Sequence, residues 1–156
     1  MAKRFTREEI KQRFQASIDA GQPIVIASAG IGIAAKFAER GGADMIGLFN
    51  SSYLGLGRVE ATSLMPYGNA NDIVMSLGDR IFPVVQNTPI LGGIIGSDPT
   101  REMTPFLNIM QFKGFPAVIN FPSPGFAYGQ HRRNLERNNY GVQQELKTLR
   151  TAKELG

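Results

Sequence analysis

A chain of 156 residues with 42% apolar and 19% charged side chains is long enough to fold around one core. It has no cysteine and one histidine, which excludes disulfides, thiolate nucleophiles and multi-histidine metal cages, so any chemistry must rest on carboxylates, hydroxyls, amides, arginines and lysines. The net charge of +4 gathers at the two ends, where basic residues mix with acids at helical spacing, as in Arg132, Arg133, Glu136 and Arg137, with no aromatic stacking platform between them; this reads as solvated helix faces and not as a nucleic-acid surface.

The start, MAKRFTREEIKQRF, is a charged amphipathic helix without the apolar core of a signal peptide, and no apolar run reaches about 18 residues. Neither a membrane span nor a secretory signal is therefore expected, and the expected compartment is the cytoplasm. Thr6-Arg7-Glu8-Glu9 has capping-box spacing, and Ile10, Phe14 and Ile18 follow every four residues, predicting a first helix over 6–20. Residues 24–28 predict a strand, 33–40 a helix ending at Gly41-Gly42, and 45–49 a second strand. A long Gly-, Ser-, Asn- and Pro-containing connection leads to a short helix near 70–79, and connections of that length in compact domains are usually functional or mobile.

Residues 90–95 predict a third strand. Asp98-Pro99 then has the form of an N-cap followed by proline at the first helical position, which predicts a helix from there to Lys113-Gly114. Residues 117–121 predict a fourth strand, followed by PSPGFAYGQ and a single final helix through about 154. Strands apolar on both faces and alternating with helices signal a parallel sheet, so the expectation is one α/β domain over 1–156 with four βα units.

The first turn, Gly30-Ile31-Gly32-Ile33-Ala34-Ala35, fits a dinucleotide fingerprint, but that motif needs a carboxylate at the end of the next strand, where this chain has Asn50-Ser51-Ser52. Asp44 stands at the wrong end of that strand. No NAD site is expected, and two glycines making a tight turn is the plainer reading.

Ligands in parallel α/β folds sit outside the carboxyl ends of the strands. The groups there are Ser28, Gly30 and Gly32 after the first strand, Asn50, Ser51 and Ser52 after the second, Gly96, Ser97 and Asp98 after the third, and Asn120 and Ser123 around the fourth. Arg58, in the long loop, could clamp an anion through its guanidinium, or be merely solvated. Asp98 is either a helix cap or a ligand-binding carboxylate, and Asn50 and Asn120 are either loop-satisfying amides or ligand contacts.

The segments AGIGIAAKFAERGGADMIGLFNSS, LMPYGNANDIV, PVVQNTPILGGIIGSDPTREM and GFPAVINFPSPGFAYGQHRRNLE together resemble the phosphoenolpyruvate hydrolase-like family, also described as TIM-barrel signal transduction proteins. That family is similar to the phosphoenolpyruvate mutase and isocitrate lyase superfamily, whose members make or break C–C or C–P bonds in 2-oxo acids using Mg²⁺. The resemblance implies a hydrolase- or lyase-like site for a small phosphorylated or carboxylated 2-oxo acid, with Asp98, Asn50 and Asn120 as catalytic groups and Asp98 as the Mg²⁺ ligand. Ser28, Gly30, Ser51, Ser52, Arg58 and Ser97 would contact the ligand. Two departures stand against this: the superfamily's aspartate cluster falls where this chain reads GGIIGSD, and its lysine and cysteine lid motif is absent.

A complete barrel has eight βα units and typically about 250 residues, so four units imply the N-terminal half of a (β/α)8 barrel. Such a half exposes two strand edges and is expected to form a homo-oligomer or to meet a complementary half; a rearranged open sheet, stable alone, is the alternative. Plant antiviral resistance proteins carry a related domain, which makes a non-catalytic signalling or interaction module the rival function, and a fragment that has lost its site a third.

Overall fold

A computed structural model describes residues 3–54 and 68–156 of the chain. Helix α1, Arg7–Asp19, opens with the expected capping box: Thr6 Oγ1 accepts from the Glu9 N–H while the Glu9 carboxylate accepts from the Thr6 N–H. Strand β1, Ile26–Ser28, leads to α2, Gly32–Arg40, then β2, Met45–Leu48, and a 3-10 turn over Asn50–Leu54. After the undescribed segment come α3, Ala70–Ile81, β3, Ile90–Ile94, α4, Met103–Lys113, and β4, Ala117–Asn120. The chain closes with α5, Gly129–Arg137, and α6, Val142–Leu155.

All four strands run parallel in the order β1-β2-β3-β4, with Ile26 beside Met45, Ile46 beside Ile90 and Leu91 beside Ala117. Each strand lies next to its predecessor, so the sheet has none of the order reversal that makes the ligand crevice of a doubly wound sheet. Every residue of β2 and β3 is buried, which explains their unbroken apolar sequence.

The two faces are covered differently. Ile46, Leu48, Ile90 and Ile94 face the main core with Ala35, Val74, Leu77, Ile81, Leu107, Met110 and Phe115, so helices α2, α3 and α4 pack on one side. On the other side Met45, Leu91 and Ala117 meet Phe5, Ile10 and Phe14, which seats α1 under the amino-terminal ends of β2, β3 and β4. Asp44 ties that end together, its carboxylate accepting from the Val25 N–H at 2.8 Å and the Ser17 hydroxyl at 2.9 Å. Towards the carboxyl ends of that face, Phe49 lies over Gly47 and Gly93: a Cβ on Gly93 would come within 2.5 Å of its ring. Phe121 meets Phe49 edge-on at 5.2 Å.

Two expected elements are corrected. Asp98 does not cap α4: the helix begins at Met103 after Glu102, and Asp98 instead makes an Asx turn, accepting from the Thr100 N–H at 2.9 Å and the Thr100 hydroxyl at 2.6 Å. The final helix is two helices, because Asn139 turns left-handed at φ 60° and the chain restarts at Gly141. Asparagine tolerates that conformation better than other residues with a side chain, so the Asn138-Asn139-Tyr140-Gly141 run is the break.

Candidate functional site

The carboxyl ends of β2 and β3 border a cavity of about 250 Å³ lined by Asn50, Asn69, Ser97, Asp98, Thr100 and Tyr140, among others. Three residues expected from sequence, Asn50, Ser97 and Asp98, are thus brought together. The amino-terminal end of α3 forms another part of the wall through Gly68, Asn69 and Ala70. Asn69 is the cap of that helix, its side-chain oxygen accepting from the Asn71 and Asp72 N–H groups.

Asp98 is the hub of this wall. Its Oδ1 is held by Thr100, while its Oδ2 accepts from Asn69 Nδ2 and Asn71 Nδ2, both at 2.9 Å, and forms an ion pair with Arg101 Nε at 2.7 Å. Arg101 also reaches Asp72 at 3.0 Å and lies over the Phe106 ring. Burial alone would raise the Asp98 pKa, but the hydrogen bonds from Thr100, Asn69 and Asn71 outweigh it and hold the carboxyl at about 2. Asn71, fully buried, adds a second tie: its amide accepts from the Ile95 N–H at 2.9 Å and donates to the Ile95 carbonyl at 3.2 Å, extending β3 by one side-chain pair.

A carboxylate has about four lone-pair sites, and Asp98 already accepts four hydrogen bonds beside its ion pair with Arg101. Its surroundings are amide, hydroxyl and guanidinium hydrogens, a donor set that the carboxylate itself takes up and that offers nothing to a cation. Among the described residues no group of three or more His, Asp or Glu side chains gathers into a metal site. The residues present therefore do not fit Mg²⁺ on Asp98 as folded.

The other expected residues lie apart from the cavity wall. Ser28 and Ser52 share a hydrogen bond at 2.7 Å between the β1 and β2 ends. Gly30 is where the two turns touch: a Cβ there would stand 1.6 Å from the Ser52 carbonyl oxygen, so glycine permits a close backbone approach. Ser51 is half-buried in the 3-10 turn. Asn120 lies on the helix-facing side and turns to Glu145 of α6, 3.4 Å away. Arg58 lies outside the described residues.

Glu145 was not among the expected site residues. It is fully buried, its Oε2 accepting from the Ser123 hydroxyl at 2.8 Å and from Asn120, while Oε1 has no partner among the described residues. Burial raises its pKa against the pull of those two donors, and Glu136 nearby raises it further. The sequence signal was an acid at helical spacing with Thr148, Ala152 and Leu155, on the inward stripe of α6. Tyr140 and Asn71 were likewise missed, one in a turn and the other in a helix, where neither carries a motif.

The sequence profile of the phosphoenolpyruvate hydrolase-like family matches residues 9–156. The chain belongs to the phosphoenolpyruvate hydrolase-like family. The chain is also similar to the ToMV susceptible protein tm-1(GCR26) of Solanum lycopersicum, 39% identical over 148 residues, and to the ToMV resistance protein Tm-1(GCR237) of the same plant, 38% identical over 151. These matches cover 94% and 96% of this chain and 20% of each relative, so the chain spans about a fifth of their length.

A solved phosphonopyruvate hydrolase, in complex with oxalate and Mg²⁺, superposes with a TM-score of 0.52 at 15% identity, covering 97% of this chain and 61% of that one. At that identity the likeness concerns the fold. Four parallel βα units in consecutive order, matched to part of that longer chain, make this family member the half of a TIM barrel.

Proposed function

We propose that the chain binds a small carboxylated or phosphorylated 2-oxo acid in the cavity at the ends of β2 and β3. The carrying observation is the cavity wall itself: Asn50, Ser97 and Tyr140 supply neutral polar groups beside the Asn69-capped amino-terminal end of the twelve-residue helix α3, whose dipole favours an anion. Asp98 and Asn71 act here as positioning residues, tying α3 to the β3–α4 turn so that both walls keep their shape. Ser97 and Tyr140 are the groups assigned to contact the ligand, and Asn50 to orient it. The oxalate in the similarly folded phosphonopyruvate hydrolase supports the ligand class, and family membership supports its place at the strand ends.

If the site turns a substrate over, these donors would stabilise negative charge developing on an enolate-like oxygen. No step is assigned to a metal, because Asp98 is already committed to four hydrogen bonds and its ion pair with Arg101. Isothermal titration with oxalate, phosphoenolpyruvate and oxaloacetate, each with and without Mg²⁺, tests the reading. Heat from at least one of them, weakened about tenfold or more by Ser97→Ala or Tyr140→Phe, is the expected result. Silence with all three would end it.

A second reading, a non-catalytic interaction module, is favoured by the commitment of Asp98 to structural bonds. It predicts a folded chain that ignores these acids and keeps its stability in their presence.

A further inference from the structure

We propose that Glu145 is a positioning residue for the cavity: uncharged, it locks the first turn of α6 against the ends of β3 and β4 and so fixes Tyr140 at the cavity wall, and on ionising it releases that turn. The geometry places Glu145 between two anchors. Its Oε2 takes hydrogen bonds from Ser123 and Asn120 at the end of β4, and one turn later Thr148 donates to the Gly96 carbonyl at 2.6 Å at the end of β3. Gly96 is bare for a reason: a Cβ there would lie 3.1 Å from the Glu145 Cα. Its neighbours Ile95 and Ser97 both line the cavity, as does Tyr140, which immediately precedes the Gly141 cap of α6. A shift of this turn therefore moves the wall from two directions.

Among the described residues no cation faces the carboxyl. Beta strands β3 and β4 and the loop after β4 present only Gly96, Asn120 and Ser123, and α5 presents another acid, Glu136, whose carboxylate accepts from the Val142 N–H at 3.3 Å. A charge on Glu145 would be buried with Oε1 unmet and a second carboxylate near it, which is costly unless the turn moves towards water. The start of α6 offers a favourable dipole field, yet burial prevails and the carboxyl holds its proton above the ordinary glutamate range.

The consequence for ligand binding rests on the cavity reading; the clamp does not. The test follows the amide signals of Gly96 and Gly125, away from the Glu136 carboxylate, by NMR on the full chain from about pH 4 to about pH 8, in wild type, Glu145→Gln and Glu136→Gln, with oxalate titrated at both ends of that range. The wild-type amides are expected to move together with one midpoint above the ordinary glutamate value. Glu145→Gln should leave them flat, and Glu136→Gln should keep the transition at a lower midpoint. Oxalate affinity should fall about tenfold across the transition in wild type and stay level in Glu145→Gln.

A transition that persists in Glu145→Gln, or flat amides in wild type, would overturn the clamp. Amides that titrate as proposed while oxalate binds equally at both ends would overturn its control of the cavity. If they titrate and oxalate binds at neither end, the clamp stands and the ligand reading falls.

Discussion

Asp98 shows how a residue singled out for chemistry can be occupied by structure. With four hydrogen bonds and an ion pair on two oxygens, its removal leaves Asn69, Asn71 and Arg101 without their shared partner, and Asp98→Ala should lower stability by roughly 3 kcal/mol in urea unfolding. Its carboxyl ionises at about 2 in the folded chain against an ordinary 3.8, so this contribution is present above pH 3.8 and lost as the pH falls towards 2. Glu145 has the opposite sign: its folded pKa is raised, so its contribution is full below the ordinary value of 4.5 and is lost as the pH rises through the folded one. Unfolding midpoints measured against pH should therefore show an acid limb absent from Asp98→Ala and a decline with rising pH absent from Glu145→Gln. The position of Asp98 at a strand end was legible, since an acid after an apolar run is visible in sequence. Its partners were not, because Asn69 and Asn71 stand 29 and 27 residues away and only the fold brings them to it.

Among the elements, those fixed by local chemistry matched expectation. The Thr6 capping box set the start of α1, and unbroken apolar runs marked β2 and β3, whereas both errors arose where asparagine or aspartate had a choice of local bonds. Asp98-Pro99 fits a helix start equally well as an Asx turn, and the turn prevailed where Asn69, Asn71 and Arg101 hold the carboxylate in place. The β1–α2 turn carries its own test. Gly30→Ala forces a methyl into the Ser52 carbonyl, and because that neighbour is backbone the cost should exceed about 2 kcal/mol, with the Ser28–Ser52 hydrogen bond lost. A substitution tolerated there would mean that the two turns do not touch. Thr6→Ala, removing only a cap, should cost about 1 kcal/mol.

For the molecule as a whole, four strands in consecutive order leave two edges. Val25 and Ile26 at the β1 edge are 48% and 47% exposed and Ile119 of β4 is 39% exposed, an apolar surface that the described residues do not cover. Light scattering coupled to size exclusion should show species heavier than the 17.0 kDa chain, growing with concentration, if these edges pair with a second copy or a complementary half. A monomer at every concentration would mean that the open sheet is stable alone. The arrangement of four βα units was legible because each unit carries its own pattern; the expectation of a second copy or a complementary half rests on the open edges alone, since pairing between edges leaves no periodicity in one chain.

The seat of α1 constrains how any such closure could look. The helix occupies the floor beneath β2, β3 and β4 of its own half. Two copies related by a two-fold axis along a shared barrel would bring two such helices into one floor, each carrying an exposed Lys11–Glu8 ion pair. A twin would have to seat two such helices where a complementary half need seat one, and that demand falls at the opposite end of the strands from the cavity beside Asp98.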